Sequence, residues 1–163
     1  RILLAADHLI KHISSNPLIS RPLDGSAERT QALVTYLESL KKTRELPAEI
    51  VLSGHGEPIT DHRALIDKRF AMHQRRAEKL YGLIAEQSRT GHELAQALWG
   101  DVAVTQAFLT LSEVIGHVDL LVNAGYVREV EEGEILRYEA TSDLNADQLG
   151  DLIPGGNPVA SQG

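Results

Sequence analysis

The 163-residue chain contains no cysteine, which excludes disulfides, thiolate metal ligands and a cysteine nucleophile. Phe, Trp and Tyr make up only 4% of it, so any core must be packed by Leu, Ile, Val and Ala. No apolar run approaches the length of a membrane span, and no signal peptide is visible. A cytoplasmic location without membrane partners is the expectation that fits. There is no Gly-x-Ser-x-Gly elbow and no Gly-x-x-x-x-Gly-Lys phosphate loop, which removes the common serine-hydrolase and nucleotide-binding schemes. No internal repeat is present. What remains is 42% hydrophobic, enough for a core of ordinary proportions.

The net charge of −7 is unevenly distributed. Residues 1–84 hold 13 Lys and Arg against 10 Asp and Glu, whereas residues 85–141 hold 3 against 10. The remainder adds 3 Asp and no base. The acidity therefore belongs to the C-terminal half, which bears on nucleic-acid binding.

Two short apolar runs end in polar turns. Ile50-Val51-Leu52-Ser53 leads into Gly54-His55-Gly56-Glu57-Pro58, and Ile2-Leu3-Leu4-Ala5-Ala6 leads into Asp7-His8. Each predicts a strand that delivers a ligating side chain just past its carboxyl end, where open α/β folds gather their ligands. Gly54 and Gly56 strip the backbone around one imidazole. Asp7 and His55 are hard-to-borderline metal ligands on two strands separated by one helix. That helix is marked by Leu33, Tyr36, Leu37 and Leu40, with Asp24 or Ser26 as its cap and Lys41, Lys42 and Arg44 near its end. Residues 13–25, rich in Pro and Ser, form a loop.

A long helix starts at Thr60 or Asp61 and runs to about Gln87. Leu65, Ile66, Met72, Leu80, Leu83 and Ile84 form its apolar side, and Lys68, Arg69, Arg75, Arg76 and Lys79 its solvated one. Thr90-Gly91-His92-Glu93 is a capping box opening a second, short helix. A third covers Val104 to Asn123 and is capped by Gly125. Two strands, Tyr126–Val130 and Ile135–Ala140, flank Glu131-Glu132-Gly133-Glu134. Helix, helix, helix, hairpin is the winged-helix order. From Ser142 onward Asp, Asn, Gly and Pro dominate, and a flexible tail is expected.

The Asp7-His8-Leu9-Ile10 and Ile13-Ser14-Ser15-Asn16-Pro17 segments, together with Gly54-His55-Gly56-Glu57-Pro58, resemble the C-terminal half of the metallo-β-lactamase-fold hydrolases. The likeness is to the branch with a C-terminal winged helix, which includes glyoxalase-II-like and β-lactamase-like hydrolases and a mitochondrial-type endoribonuclease. Ala6 stands for the usual Gly and Ser53 for the usual Pro; neither position supplies a ligand, so both changes are expected to be minor. The family's His-x-His-x-Asp-His motif does not occur in the sequence. We therefore read the chain as the C-terminal part of a longer hydrolase, with an incomplete site.

The resemblance implies a fold, a cofactor and roles. The fold is α/β: a partial αβ/βα sandwich over residues 1–70, then a mainly α winged-helix domain over 71–141, then a tail over 142–163. Asp7 would bridge two Zn2+ ions and His55 would bind one of them. The metals would lower the pKa of a water that attacks an ester, thioester, lactam or phosphodiester, and polarise the oxygen under attack. His8, Asn16, Gly54 and Gly56 would line the cleft or support the ligands. His12, His62, His73, His92 and His117 are assigned no role. The rival class is a winged-helix nucleic-acid-binding or protein-interaction module. The third helix holds neither Lys nor Arg and the hairpin is acidic, which speaks against duplex DNA. A small-molecule or RNA substrate and self-association remain the partners expected, and residues 85–141 are expected to fold alone.

Overall fold

The computed structural model describes residues 1–20 and 29–153. Strand β1 (Ile2–Ala6) and strand β2 (Ile50–Ser53) lie side by side in parallel, joined through helix α1 (Ala32–Arg44). The register runs Ile2 to Ile50, Leu3 to Val51 and Leu4 to Leu52, then slips so that Ala6 meets Ser53. Strand alternation sorts these residues by face. Ala5 and Val51 are buried against the helices, whereas Ile2 and Leu4 stand 68% and 78% exposed and Ile50 and Leu52 share that outer side.

Helix α2 (His62–Glu86) begins where Asp61 accepts a hydrogen bond from the Ala64 amide at 3.0 Å. It serves two cores in succession. Ile66 and Phe70 pack with Leu9, Leu33, Leu37, Leu40 and Val51 in the first. Ala77, Leu80, Tyr81 and Ile84 pack in the second with Leu94, Val114, Val118, Leu121 and Tyr138. That second core is closed by α3 (Gly91–Trp99), α4 (Val102–Thr105), α5 (Ala107–Asn123) and an antiparallel sheet of order β3-β5-β4. In it, β3 is Arg89–Thr90, β4 is Val127–Glu132 and β5 is Ile135–Ala140.

Several expectations change here. The first helix is capped at Gln31 with no side-chain bond; Asp24 and Ser26 lie outside the described residues. The third helix is interrupted, because the chain breaks at Gln106 between α4 and α5. A unit cut at residue 85 would lose the four α2 side chains of the second core, Ala77, Leu80, Tyr81 and Ile84, so residues 85–141 do not hold that core by themselves. The basic side of α2 is not uniformly solvated. Arg69 donates to the carbonyls of Ile10, Lys11 and Ile13 at 2.9–3.2 Å, and Arg76 pairs with Glu113 while lying over the Trp99 ring. Lys68, Arg75 and Lys79 are not held in this way.

Residues 142–153, expected as tail, are packed instead. Ile153 is 1% exposed in the first core, and Leu144, Leu149 and Leu152 lie against the second. Their backbone is tied down: the Leu152 amide donates to Gln74 Oε1 at 3.0 Å, the Gly150 amide to the Tyr126 hydroxyl at 3.1 Å, and the Tyr81 hydroxyl to the Ser142 carbonyl at 2.9 Å. Within this polar composition Leu144, Leu149, Leu152 and Ile153 are the apolar anchors.

The two cores are also joined by polar pairs. Arg29 grips Asp119, itself 2% exposed, with Nη1 and Nη2 of its guanidinium. Gln31 and Asn123 exchange hydrogen bonds at 3.2 and 2.8 Å.

Gly125 has φ of +79°. Its amide donates to the Val122 carbonyl and the Tyr126 amide to that of Leu121, both at 2.9 Å. This is a Schellman ending, with glycine at the left-handed position. Gly125→Val is expected to cost more than about 1 kcal/mol, since a β-branched side chain is strained there. Denaturant unfolding reads the loss, and an unchanged midpoint would contradict it.

Candidate metal centre

Asp7 leaves β1 through a tight turn. Ala6 has φ of +45°, the left-handed region that L residues enter at a cost of roughly 1–2 kcal/mol. The glycine expected at this position would relieve that cost, so the change to Ala is not structurally neutral. The turn is nonetheless well tied. The His8 amide donates to Ala5 O at 2.9 Å and the Gly54 amide to Ala6 O at 2.8 Å. The Ser15 hydroxyl donates to the Asp7 carbonyl.

His55 sits at the tip of the loop after β2. The loop's two ends are pinned by reciprocal bonds between Val51 and Ile59, at 2.8 and 2.9 Å. Ser53, the other departure from the family pattern, donates to Leu9 O at 2.6 Å and so ties this loop to the Asp7 segment. Lys11 and Glu57, 2.5 Å apart, form a second tie at the surface. Lys11 holds the Glu57 carboxyl below its ordinary range, with His12 adding to the effect.

These ties bring Asp7 Oδ1 to 3.5 Å from His55 Nε2, with both side chains open to solvent. Gly54 makes that approach possible. A Cβ built there would lie 2.6 Å from Asp7 Oδ1, closer than any side chain tolerates, so the carboxylate occupies the space that glycine vacates. Gly56, with φ of +83°, turns the backbone away behind His55. Among the described residues no group of three or more His, Asp or Glu converges. Asp7 and His55 are the pair the structure brings together.

The remaining expected site residues point elsewhere. His8 turns toward α1, its Nε2 2.9 Å from Thr43 Oγ1, while its carbonyl accepts from the Tyr36 hydroxyl at 3.1 Å. Burial lowers its pKa. It fastens the turn to α1 and does not touch Asp7 or His55 in any hydrogen bond. Asn16 donates to the Leu109 carbonyl at 3.1 Å, anchoring the loop to α5. Sequence reasoning missed Ser15, Ser53 and Arg69 as supports and gave no role to His73 and His117, which prove fully buried. Only the Ser14-Ser15 pair, in a loop read as a connection, offered a visible signal.

The chain matches no protein-family model. It is 36% identical over 137 residues to a protein of Bacillus subtilis (strain 168) named Probable metallo-hydrolase YqjP, covering 84% of this chain and 43% of the relative. A crystal structure of a metallo-β-lactamase family protein from Thermus thermophilus superposes with a TM-score of 0.68 at 28% identity, covering 85% of this chain and 42% of that one. A β-lactamase domain protein from Burkholderia ambifaria gives a TM-score of 0.73 at 26% identity, covering 86% and 41%. The likeness is to the metallo-β-lactamase superfamily. The chain spans less than half the length of each of these relatives. Its mixed α/β architecture agrees with the structural neighbours, and no helix among the described residues is long and apolar enough to cross a membrane.

Proposed function

We propose that this chain supplies two metal ligands and one half of the scaffold to a zinc-dependent hydrolase of the metallo-β-lactamase type. The observation that carries this is the 3.5 Å approach of Asp7 Oδ1 to His55 Nε2 at the carboxyl ends of two neighbouring parallel strands. An ionised carboxylate has an oxygen for each of two metals, and a neutral imidazole offers one lone pair. The donor set therefore fits a two-zinc centre whose other ligands come from outside these residues. When bound, zinc supplies Lewis acidity and a water of lowered pKa. The chain's own contribution is to hold Asp7 and His55 in register through Gly54, Ser15 and Ser53. Substrates of the ester, thioester, lactam and phosphodiester classes suit such a centre.

The apolar outer face of β1 and β2 supports the same reading. Ile2, Leu4, Ile50 and Leu52 form an uncovered patch, which a complementary half-sandwich would bury. We read the second core as a winged-helix unit that shapes the rim of the cleft and offers a surface for self-association. Binding to duplex DNA is disfavoured by charge: α5 carries no Lys or Arg, and Glu129, Glu131, Glu132 and Glu134 are exposed on or beside the hairpin.

The test joins this chain to an N-terminal portion bearing the remaining ligands, such as the corresponding part of the Bacillus relative, fused or as a separate chain. Stoichiometric zinc binding and hydrolysis of a thioester or phosphodiester probe are expected. Asp7→Ala or His55→Ala should each lower activity by more than the roughly 10–100-fold typical of losing a ligand's supporting contact. Full activity in both variants would overturn the assignment.

A further inference from the structure

Four residues between the cores form one directed line of hydrogen bonds. His117 Nδ1 lies 2.6 Å from the Glu113 carbonyl oxygen, which can only accept, so this nitrogen carries a proton. In the neutral ring Nε2 is then a lone pair, and it accepts from His73 Nδ1–H at 2.9 Å. His73 Nε2 is left as a lone pair facing the Ser14 hydroxyl at 3.4 Å. Ser15, the next residue, donates to the carbonyl of Asp7. The imidazoles are stacked, with centroids 5.1 Å apart, and are 2% and 1% exposed.

The surroundings favour an uncharged pair. Arg69 and Arg76 of α2 act on His73, and Arg76 also acts on His117. Glu113 of α5 is engaged by Arg76. Helix α1 contributes the Tyr36 ring, 6.4 Å from His73, whose hydroxyl donates to the His8 carbonyl and also meets the Ser14 and Ser15 side chains. The loop contributes the Ser14 hydroxyl. Burial, more than these charges, holds both imidazoles below their ordinary pKa.

We propose that the His73–His117 pair positions the Asp7 turn: while both imidazoles are neutral they order Ser14, and through it set Ser15 against the Asp7 carbonyl. The pair thus links the second core to the proposed metal centre. Its functional meaning rests on Asp7 being a ligand, but the mechanical coupling does not. The first added proton goes to His73 Nε2. Ser14, whose hydroxyl already lies 3.3 Å from the Ser15 carbonyl, can then no longer donate to His73. A third cation now stands beside Arg69 and Arg76, which drives the loop outward and frees the turn.

The experiment is amide hydrogen exchange on the 163-residue chain without added metal. The reporters are the His8 and Gly54 amides, whose bonds to Ala5 and Ala6 define the turn. Their protection, normalised to amides of β4 and β5, should fall about fivefold to tenfold between about pH 6.5 and about pH 4. Ser14→Ala should show the low value at both pH values, and Ser14→Thr, which keeps the hydroxyl, should behave as the parent. His73→Phe fills the same space and should match Ser14→Ala. Unaltered protection in Ser14→Ala, or a pH dependence that survives it, would overturn the coupling. Either result leaves the ligand assignment to the zinc experiment, whose own failure would leave the coupling intact.

Discussion

Acidification from about pH 6.5 to about pH 4 should remove about 3 kcal/mol of folding stability through His73 alone, the free-energy equivalent of lowering its pKa from 6.5 to about 4. Below 6.5 the unfolded chain takes up a proton that the folded chain refuses until about 4. The unfolded state therefore binds more protons throughout that window, and stability rises with pH across it. The contribution is fully present above 6.5 and is lost as pH falls. His117, 1% exposed and also held below its ordinary pKa by burial, acts in the same direction. Glu57 and Glu93 have lowered pKa values and lose their contributions only at more acid pH, below the carboxylate value of 4.5. Denaturant midpoints measured across this range should show the fall begin near neutrality, well above the pH at which carboxylates protonate. His73→Phe should flatten the upper part of the curve. A parent chain equally stable from pH 7 to pH 4.5 would show that the imidazoles are not buried as neutral groups.

Removal of everything after Thr141 should destabilise the chain by more than any surface change, although the segment looks expendable by composition. Ile153 is buried in the first core, and Leu144, Leu149 and Leu152 cover the second. Ile153→Ala alone should cost about 2–5 kcal/mol, the usual range for truncating a fully buried aliphatic side chain. The truncation adds to this the loss of bonds from Gln74, Tyr81 and Tyr126, and would leave the Gln74 side chain, itself 6% exposed, short of partners. Thermal unfolding of the full and truncated chains reads the effect. Equal melting temperatures would mean that the segment rests on the cores without contributing to them.

The parts legible in the sequence were those governed by local spacing. Short continuous apolar runs marked β1 and β2 and three-and-four spacing marked α1, α2 and α5, while the Thr90 capping box and the Gly125 stop were visible because each is a short-range hydrogen-bond pattern. Asp7 and His55 could be picked out because both stand at strand ends, His55 between two glycines. Tertiary structure decided what no spacing encodes. It placed Asp7 Oδ1 over the gap left by Gly54 and turned His8 toward Thr43 instead of toward Asp7 and His55. It converted Arg69 and Arg76 from apparent surface charges into fixed donors. It joined His73 to His117, 44 positions away, and carried residues 142–153 back onto two cores. In each case the partners are far apart in the chain, so the energy that fixes them comes from burial and long-range hydrogen bonding and leaves no periodic trace in the sequence.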